Sequence, residues 1–271
     1  MNLVYLYLLS PLHTGGTTQE GNLLGIARES HTNLPYIPSS TIRGRLRAFA
    51  SGDKNGSNKS ERFVLFGNEI ADGEQLEQGA IWIGDGSILW IPVPSLSHGV
   101  VWVSSPMLLR RWARLSGSTT TIPQEHSTNI PGQGKVYLKD AILTLGTNPG
   151  ELTYWDDWKD CVSSHPEASG MDRVLVLPDK HCATIVQMSL WRQVKIKLDE
   201  HKTVDEGFRY EEAIPPDTLM YFPWGITAQA NGTAATASQT FSELLQRSDT
   251  LQIGGQESLG RGFVTLFSGN N

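Results

Sequence analysis

A helix start followed by three arginines is the first candidate for chemistry in this sequence. The segment reads Ser39, Ser40, Thr41, Ile42, Arg43, Gly44, Arg45, Leu46 and Arg47. Its hydroxyl side chains are good N-caps, and the unpaired N–H groups and partial positive charge of a helix start suit a phosphate. Arg43 and Arg47 lie four residues apart on one helix face, and guanidinium groups bind phosphate oxygens in a fork. An ordinary capped and solvated basic helix explains the same residues, so both interpretations stay open.

Two glycine-rich loops near the ends of the chain are the second candidate. The first loop contains His13, Gly15 and Gly16, and the second contains Gly254, Gly255, Gly260, Arg261 and Gly262. Glycines leave backbone amides accessible and permit close contact with a sugar-phosphate chain. Arg261, between two glycines, is an unusual place for a merely solvated charge. Glycine-rich turns are common, so each loop indicates little alone, but together with the basic helix they suggest a site for an anionic chain.

Motifs of the common enzyme classes are missing from the sequence. It contains no GxSxG, P-loop, HExxH or GxGxxG pattern. A hydrogen-bonded loop position is the more common explanation for a single histidine such as His13. Asp156–Asp157 and Glu211–Glu212 are adjacent pairs, which we interpret as solvated surface rather than as a catalytic dyad. Spacing alone therefore predicts no acid–base pair and no metal site.

The elements that must hold these residues alternate between strands and helices. Residues 3–9 predict a central strand, because apolar side chains occupy both faces. Gly84–Gly86 predicts a turn between two strands, 81–85 and 87–93. Ser105 and Pro106 are typical of a helix start, with serine as the cap and proline as the first helical residue. Residues 116–134 are polar and without periodicity, which predicts a loop.

The segment from Gln193 alternates between apolar and basic residues, which predicts a half-exposed strand. Residues 199–202 are a plausible turn, and a return arm runs towards Tyr210, so we expect a projecting hairpin. The order of the elements, with no dinucleotide fingerprint, predicts an α+β fold. We expect a split βαβ, ferredoxin-like body with insertions, in a single domain over residues 1–271.

Composition and charge narrow the class of protein. The 271 residues carry a formal charge of -6, with 39% hydrophobic residues and two cysteines. This composition excludes a disordered chain and a disulfide scaffold. The apolar start is too short for a membrane span or a signal peptide, so we expect a soluble protein of the reducing cytoplasm. Residues 1–50 have four arginines against two glutamates, which makes the amino-terminal segment the better place for an anionic ligand.

The order of several motifs along nearly the whole chain resembles the RAMP superfamily of CRISPR proteins. Within it, the sequence is most similar to the family of fourth subunits, the backbone subunits, of type III-B (Cmr) effector complexes. The residues that carry the resemblance are Ser10–His13, Gly15–Gly16, Arg28–Glu29, His31–Thr32, Pro35, Ile37–Pro38, Ser40–Arg47, Asp85–Leu89, Pro92–Ser95, Val101–Pro106, Glu211–Glu212, Pro215–Leu219, Ile253–Gly255 and Gly260–Gly262.

This resemblance implies a modified RRM-like palm with a protruding β-hairpin thumb at about residues 187–213. It also implies assembly of copies along a CRISPR RNA, with other Cmr subunits and a single-stranded target RNA as partners and no membrane. Each thumb would insert into the guide–target duplex and flip out a nucleotide at a six-nucleotide period. Carried over by position, the residues expected to contact RNA are His13, Gly15, Gly16, Arg28, Ser39, Ser40, Thr41, Arg43, Arg47, Gly254, Gly255, Gly260 and Arg261.

One position departs from the family's pattern. Members that cut target RNA place an aspartate five residues before the arginine that matches Arg28, and this sequence has Leu23 there. Leucine can neither coordinate a divalent metal nor orient a 2′-hydroxyl for attack. Asn22 is adjacent and Glu20 is near, which makes them the remaining catalytic candidates, but a displacement of even about 1 Å can cost about 100-fold in rate.

We therefore expect a guide-binding subunit that needs no cofactor for binding. The alternative is a metal-dependent endoribonuclease, with Mg2+ as cofactor, that cuts the bound target at six-nucleotide intervals. A guide-processing endonuclease of the same superfamily is a third possibility, for which His13 alone would be the acid–base candidate.

Overall fold

The computed structural model describes residues 1–16, 19–20, 23–51, 59–68, 78–162, 165–228, 230 and 233–268. Side chains are described in these ranges except at 19–20, 59–60, 197–198 and 205–206. The strands are β1 Asn2–Leu8, β2 Gln19–Glu20, β3 Leu23–Leu24, β4 Tyr36–Ile37, β5 Ile81–Ile83, β6 Gly86–Ser95, β7 Gly99–Ser104, β8 Ser127–Thr128, β9 Gly134–Tyr137, β10 Ile142–Leu145, β11 Thr153–Tyr154, β12 Val174–Val176, β13 Trp191–Leu198, β14 Val204–Ala213, β15 Leu219–Ile226, β16 Thr250–Gln252 and β17 Phe263–Ser268. The α-helices are α1 Ser39–Ala50, α2 Lys59–Phe66, α3 Pro106–Ser116, α4 Asp179–Met188 and α5 Ala234–Gln246, and 3-10 turns cover Asp157–Cys161, Pro166–Gly170 and Glu257–Leu259.

The large sheet is built around β1. Its strand order is β11-β8-β12-β7-β6-β15-β1-β17-β16, and β1 pairs antiparallel with both β15 and β17. Val4, Leu6 and Leu8 belong to one buried cluster, and Leu3, Tyr5 and Tyr7 belong to a second cluster on the other face. The predicted central strand with two apolar faces is therefore confirmed.

Helices pack on both faces of this sheet. Ile42 and Leu46 of α1 and Phe241 of α5 join the first cluster, whereas Leu109 and Trp112 of α3 join the second. The mixed helix and strand content confirms the α+β class, while the ferredoxin-like order of the palm and the single domain over 1–271 stay predictions.

The start of α3 follows the sequence closely. The Ser105 hydroxyl accepts a hydrogen bond from the Leu108 N–H at 3.4 Å, and Pro106 is the first helical residue. The helix ends at Gly117, whose φ of 74° lies in the left-handed region. Residues 116–134 form the predicted loop, apart from the end of α3, the two-residue strand β8 and the first residue of β9.

The predicted hairpin turn at Gly84–Gly86 is wrong. Both β5 and β6 pair antiparallel with β15, β5 at Trp224–Ile226 and β6 at Leu219–Tyr221. The two strands therefore follow one another along the same edge of β15 instead of pairing with each other. Pairing with β15, more than a hundred residues away, is favoured over a local hairpin. The periodicity of a short segment does not indicate such a distant partner.

A smaller sheet carries the hairpin that the sequence predicted from Gln193. Strands β13 and β14 pair antiparallel, and β3 and β2 extend this sheet in the order β13-β14-β3-β2. Asp199 accepts hydrogen bonds from the His201 and Thr203 N–H groups and so stabilises the turn. Large apolar side chains of this hairpin are half exposed, namely Val194, Ile196, Val204, Phe208 and Tyr210. Among the described residues, no helix is long and apolar enough to cross a bilayer.

Candidate nucleic-acid interface

The two glycine-rich loops lie against each other. The carbonyl oxygen of His13 accepts a hydrogen bond from the Gly255 N–H at 2.9 Å, and that of Pro11 accepts one from the Gly262 N–H at 2.9 Å. At Gly254, where φ is 82°, an added Cβ would lie 2.4 Å from the His13 carbonyl oxygen. The loops can approach this closely because glycine has no side chain at the contact. Segments near both ends of the chain therefore form one surface.

The first loop closes on itself beside this contact. The Gly16 N–H donates to the Gly25 carbonyl at 3.1 Å, and a Cβ at Gly16 would lie 2.8 Å from the same oxygen. His13 is buried, and its ring Nδ1 lies 2.9 Å from the carbonyl oxygen of Glu212. The histidine is thus the hydrogen-bonded loop residue that its sequence context suggested, and it joins the loop to the hairpin base.

Arg261 faces the protein interior. Only 4% of the residue is exposed, and its Nη2 donates to the Gln193 Oε1 at 2.8 Å. Its Nη1 forms an ion pair with the Glu211 Oε2 at 3.3 Å, and its Cζ lies 4.3 Å from the centre of the Trp191 ring. These contacts attach the second glycine loop to the base of the hairpin. The role of Arg261 as a phosphate ligand stays a prediction.

Glu211 and Glu212 are buried, so their interpretation as solvated surface is wrong. They are consecutive residues of β14, and their side chains point to opposite faces of the hairpin. Glu212 pairs with Arg28 and Arg192, whereas Glu211 pairs with Lys195 and Arg261.

The four cations explain why these two carboxylates can be buried. Burial raises the pKa of Glu211, but the hydrogen bond and charge of Lys195, with the charge of Arg261, outweigh it and lower that pKa overall. The predicted hairpin gave one indication of this arrangement, because Arg192 and Glu212 lie on its opposite arms. In the structure these two residues are direct cross-strand partners.

The start of α1 differs from the prediction. Pro38 occupies the N-cap position and makes no side-chain cap, so the expected caps Ser39, Ser40 and Thr41 form the first helical turn instead. The Ser39 N–H donates to the Asp85 Oδ1 at 2.6 Å. A carboxylate from the segment between β5 and β6 thus occupies one of the helix-terminal donors that the sequence analysis assigned to a phosphate.

Arg43 is held between α1 and α2. Its Nη2 donates to the Phe66 carbonyl, and its Cζ lies 5.9 Å from the centre of the Phe66 ring. Burial lowers the pKa of Arg43, and the charge of Arg47 lowers it further. The proximity of Arg47 agrees with the predicted helix face, and it concentrates positive charge at one position of the surface.

A cleft of about 540 Å³ lies between the first loop and the base of the hairpin. Leu23 lines it together with Arg28, Arg192 and Glu212. In the backbone register, Leu23 is the partner of Tyr210 on one side and of Glu20 on the other. Asn22 lies outside the described residues. The position where the resemblance expects an aspartate therefore borders the cleft and holds a leucine.

The described residues contain no group of three or more His, Cys, Asp or Glu side chains that could hold a metal ion. Leu23 offers no ligand atom, and Glu212 is already paired with two arginines.

Comparisons with known proteins give a consistent result. Residues 5–265 match the RAMP superfamily. The chain is 31% identical over 288 residues to the CRISPR system Cmr endoribonuclease Cmr4 of Pyrococcus furiosus, and the match covers 97% of this chain and 94% of that protein. The crystal structure of oligomeric Cmr4 from Pyrococcus furiosus superposes with a TM-score of 0.71 at 26% identity, covering 98% of this chain and 97% of that chain. A chain in the cryo-EM structure of the type III-B Cmr-beta complex bound to cognate target RNA shares the fold, with a TM-score of 0.75 at 18% identity and coverage of 98% and 96%.

Proposed function

The chain belongs to the RAMP superfamily, and on that premise we propose that it is a CRISPR-RNA-binding backbone subunit of a type III-B (Cmr) interference complex. Backbone amides, hydroxyls and arginines would bind the sugar-phosphate chain of the guide, and base pairing would select the target. We expect it to act in the cytoplasm. The observation that carries this proposal is that two glycine loops distant in sequence meet at the base of the β13–β14 hairpin.

The guide would lie across the surface formed by the two loops and α1. Gly15, Gly16, Gly255 and Gly260 lie in the two loops, which join the hairpin base through His13 and Arg261. Ser40 is exposed, and Ser39 and Thr41 are partly exposed, at the start of α1. Because main-chain donors and guanidinium groups bind phosphate irrespective of base, such a surface would hold any guide sequence.

The hairpin β13–β14 would act as the thumb. Phe208 and Tyr210 are 49% and 41% exposed, and their rings pack edge to face with centres 5.4 Å apart. Exposed aromatic side chains on a projecting element are suited to stacking against nucleobases. We propose that this hairpin enters the guide–target duplex and displaces one nucleotide in each six-nucleotide repeat.

Copies of the chain, and other Cmr subunits, would assemble along the guide. The relative of known structure is described as oligomeric, and the net charge of -6 suggests that neighbouring subunits help to neutralise the RNA. We further propose that this subunit does not cut the target, because Leu23 replaces the expected carboxylate.

The binding surface is tested with the double variant Arg43→Ala/Arg47→Ala. Affinity for a labelled CRISPR RNA is measured by fluorescence anisotropy over a series of salt concentrations. Each lost phosphate contact should reduce the slope of log K against log salt by about 0.7 to 1. Arg110→Ala is the matched control, since Arg110 is an exposed arginine of α3 and does not belong to α1 or to the two glycine loops. An unchanged slope in the double variant would contradict the assignment of α1.

The absence of cleavage is tested on the assembled complex. Target RNA incubated with the complex and Mg2+ should stay intact at the spaced positions. Cuts at six-nucleotide intervals that disappear in Glu20→Ala would instead support the endoribonuclease.

A further inference from the structure

The cleft at the base of the hairpin brings together two arginines from distant parts of the chain. Arg28 follows the first glycine loop, and Arg192 lies at the start of β13. The cleft volume of about 540 Å³ falls within the range of about 300–1,000 Å³ that is typical of ligand sites. Its polar lining includes Gln187 at the end of α4 and Asn33.

Both arginines converge on one buried carboxylate. The Nη2 of Arg28 lies 2.8 Å from the Glu212 Oε2, and the Nε and Nη2 of Arg192 lie 3.0 and 2.9 Å from the Glu212 Oε1. The Glu212 side chain is 2% exposed, whereas that of Arg192 is 55% exposed. More than half of the Arg192 side chain is therefore accessible to a ligand at the cleft.

Arg28 is oriented by further contacts. Its Nη1 donates to the side-chain oxygen of Gln187, and the Nε2 of Gln187 donates to the Asn33 carbonyl at 2.7 Å. The end of α4 therefore fixes the position of this guanidinium before any ligand binds, which lowers the entropic cost of binding.

The charges around the cleft leave a positive excess. Glu29 also lines the cleft, but it forms an ion pair with Arg111 and accepts a hydrogen bond from Thr32 at 2.5 Å. That pair is neutral. Two guanidinium charges against the single carboxylate of Glu212 leave one positive charge at the cleft.

We propose that this cleft is a phosphodiester-binding site, in which Arg28 and Arg192 hold one phosphate of the bound RNA. Two planar guanidinium groups match phosphate oxygens better than a lysine or an amide would. In this arrangement both guanidinium groups contact the phosphate oxygens directly. This inference rests on the proposed function and adds Arg192, which the sequence analysis did not select.

Glu212 is the positioning residue of this site. It neutralises part of the repulsion between the two guanidiniums and keeps both at the cleft. A carboxylate that merely competed with phosphate would weaken RNA binding, and its removal would tighten the complex. A positioning carboxylate has the opposite effect, since without it the exposed Arg192 side chain is free to turn away.

The experiment measures binding of the full chain to a labelled CRISPR RNA by anisotropy at several salt concentrations. Arg192→Ala should weaken binding about tenfold and reduce the salt slope by about 0.7. Arg192→Lys keeps the charge and the partner of Glu212, but it should still weaken binding because it lacks the fork. Glu212→Gln should also weaken binding, although it makes the protein more positive. Arg110→Ala is the control and should leave affinity within about twofold.

The outcomes separate this inference from the proposed function. If the wild-type chain fails to bind the CRISPR RNA, the proposed function is wrong. If the wild type binds and Arg192→Ala and Arg192→Lys match it in affinity and slope, only the phosphodiester site is wrong. Tighter binding by Glu212→Gln would overturn the positioning role, and thermal unfolding of each variant identifies any that fails to fold.

Discussion

Glu29 links the ionisation of one side chain to the stability of the protein. Burial raises its pKa, but hydrogen bonds from Arg111 and Thr32, with the charge of Arg111, outweigh burial and lower the pKa below the usual 4.5. The unfolded chain therefore binds the proton more tightly than the folded one. The stability that Glu29 contributes is fully present above the unfolded pKa and is lost as the pH falls through the folded value.

We predict that Glu29→Gln reduces the pH dependence of stability in acid. At neutral pH the variant should be less stable than the wild type by about 2 kcal/mol, because a charge-assisted pair is lost. The difference should begin to narrow as the pH falls below about 4.5, where the carboxylate of the unfolded chain takes up its proton, and most of it should be lost once the pH falls below the lowered pKa of the folded carboxylate. Urea unfolding at a series of pH values measures this, and a constant difference down to the lowest pH would contradict it.

The two cysteines should be unreactive in the folded protein. Burial raises the pKa of both Cys161 and Cys182 to about 12, and the nearby Asp160 adds to the shift at Cys161. Thiolate, the reactive form, is then almost absent at pH 8. We predict no reaction with a thiol reagent in buffer and modification of both cysteines in urea. Rapid modification of the native protein would show that the buried clusters open locally.

Residue types and spacing selected candidate residues for the site, but they did not predict which way the side chains face. The basic helix and the two glycine loops were selected from sequence, and the structure brings the loops together. Arg261 looked accessible because glycines flank it, yet it is buried against Glu211 and Trp191. Glu211 and Glu212 looked solvated because their cationic partners come from three separate segments. Burial of a charge depends on such distant partners, and local sequence does not contain them.

The conformation of the second glycine loop depends on single glycines. Gly260 and Gly262 both have positive φ, 71° and 77°. A Cβ at Gly260 would meet nothing within 4 Å, whereas a Cβ at Gly262 would lie 1.9 Å from the Ile253 carbonyl oxygen. An alanine at position 260 would therefore introduce backbone strain alone, whereas an alanine at position 262 would add a steric overlap.

We predict unequal costs for alanine at these two positions. Gly260→Ala should destabilise the protein by about 1–2 kcal/mol, the cost of a left-handed non-glycine residue. Gly262→Ala should cost at least about 2 kcal/mol more, because the loop must move away from β16 to relieve the overlap. Chemical denaturation compares the two variants, and equal costs would mean that the Ile253 segment yields easily.

Elements with strong local signals were predicted correctly. The central strand, the capped helix at Ser105 and the alternating strand from Gln193 all formed as expected. The segment from Ile81 to Val93 did not, because its partner β15 lies far along the chain. Likewise, the acceptor for the Ser39 N–H at the start of α1 is Asp85, more than forty residues away. Periodicity predicts an element, whereas long-range pairing decides its neighbours.

At the scale of the whole molecule, the proposed function predicts assembly that depends on RNA. Sedimentation of the chain with CRISPR RNAs of increasing length should show particles whose mass rises in steps, each step adding one copy. The hairpin variant Phe208→Ala/Tyr210→Ala should still assemble, because these exposed side chains are proposed to contact the duplex and not the guide backbone. Particles of constant mass at all RNA lengths would contradict the backbone role.

The position of β1 in the sheet also has a consequence for biosynthesis. Its two neighbours are β15 and β17, so β1 cannot pair until roughly 200 further residues have been translated. At about 5–20 residues per second, that interval lasts about 10–40 s. During this time a strand that is apolar on both faces has an open edge, which is a template for aggregation. We therefore expect the unpaired edge of β1 to need protection from aggregation until β15 has been translated.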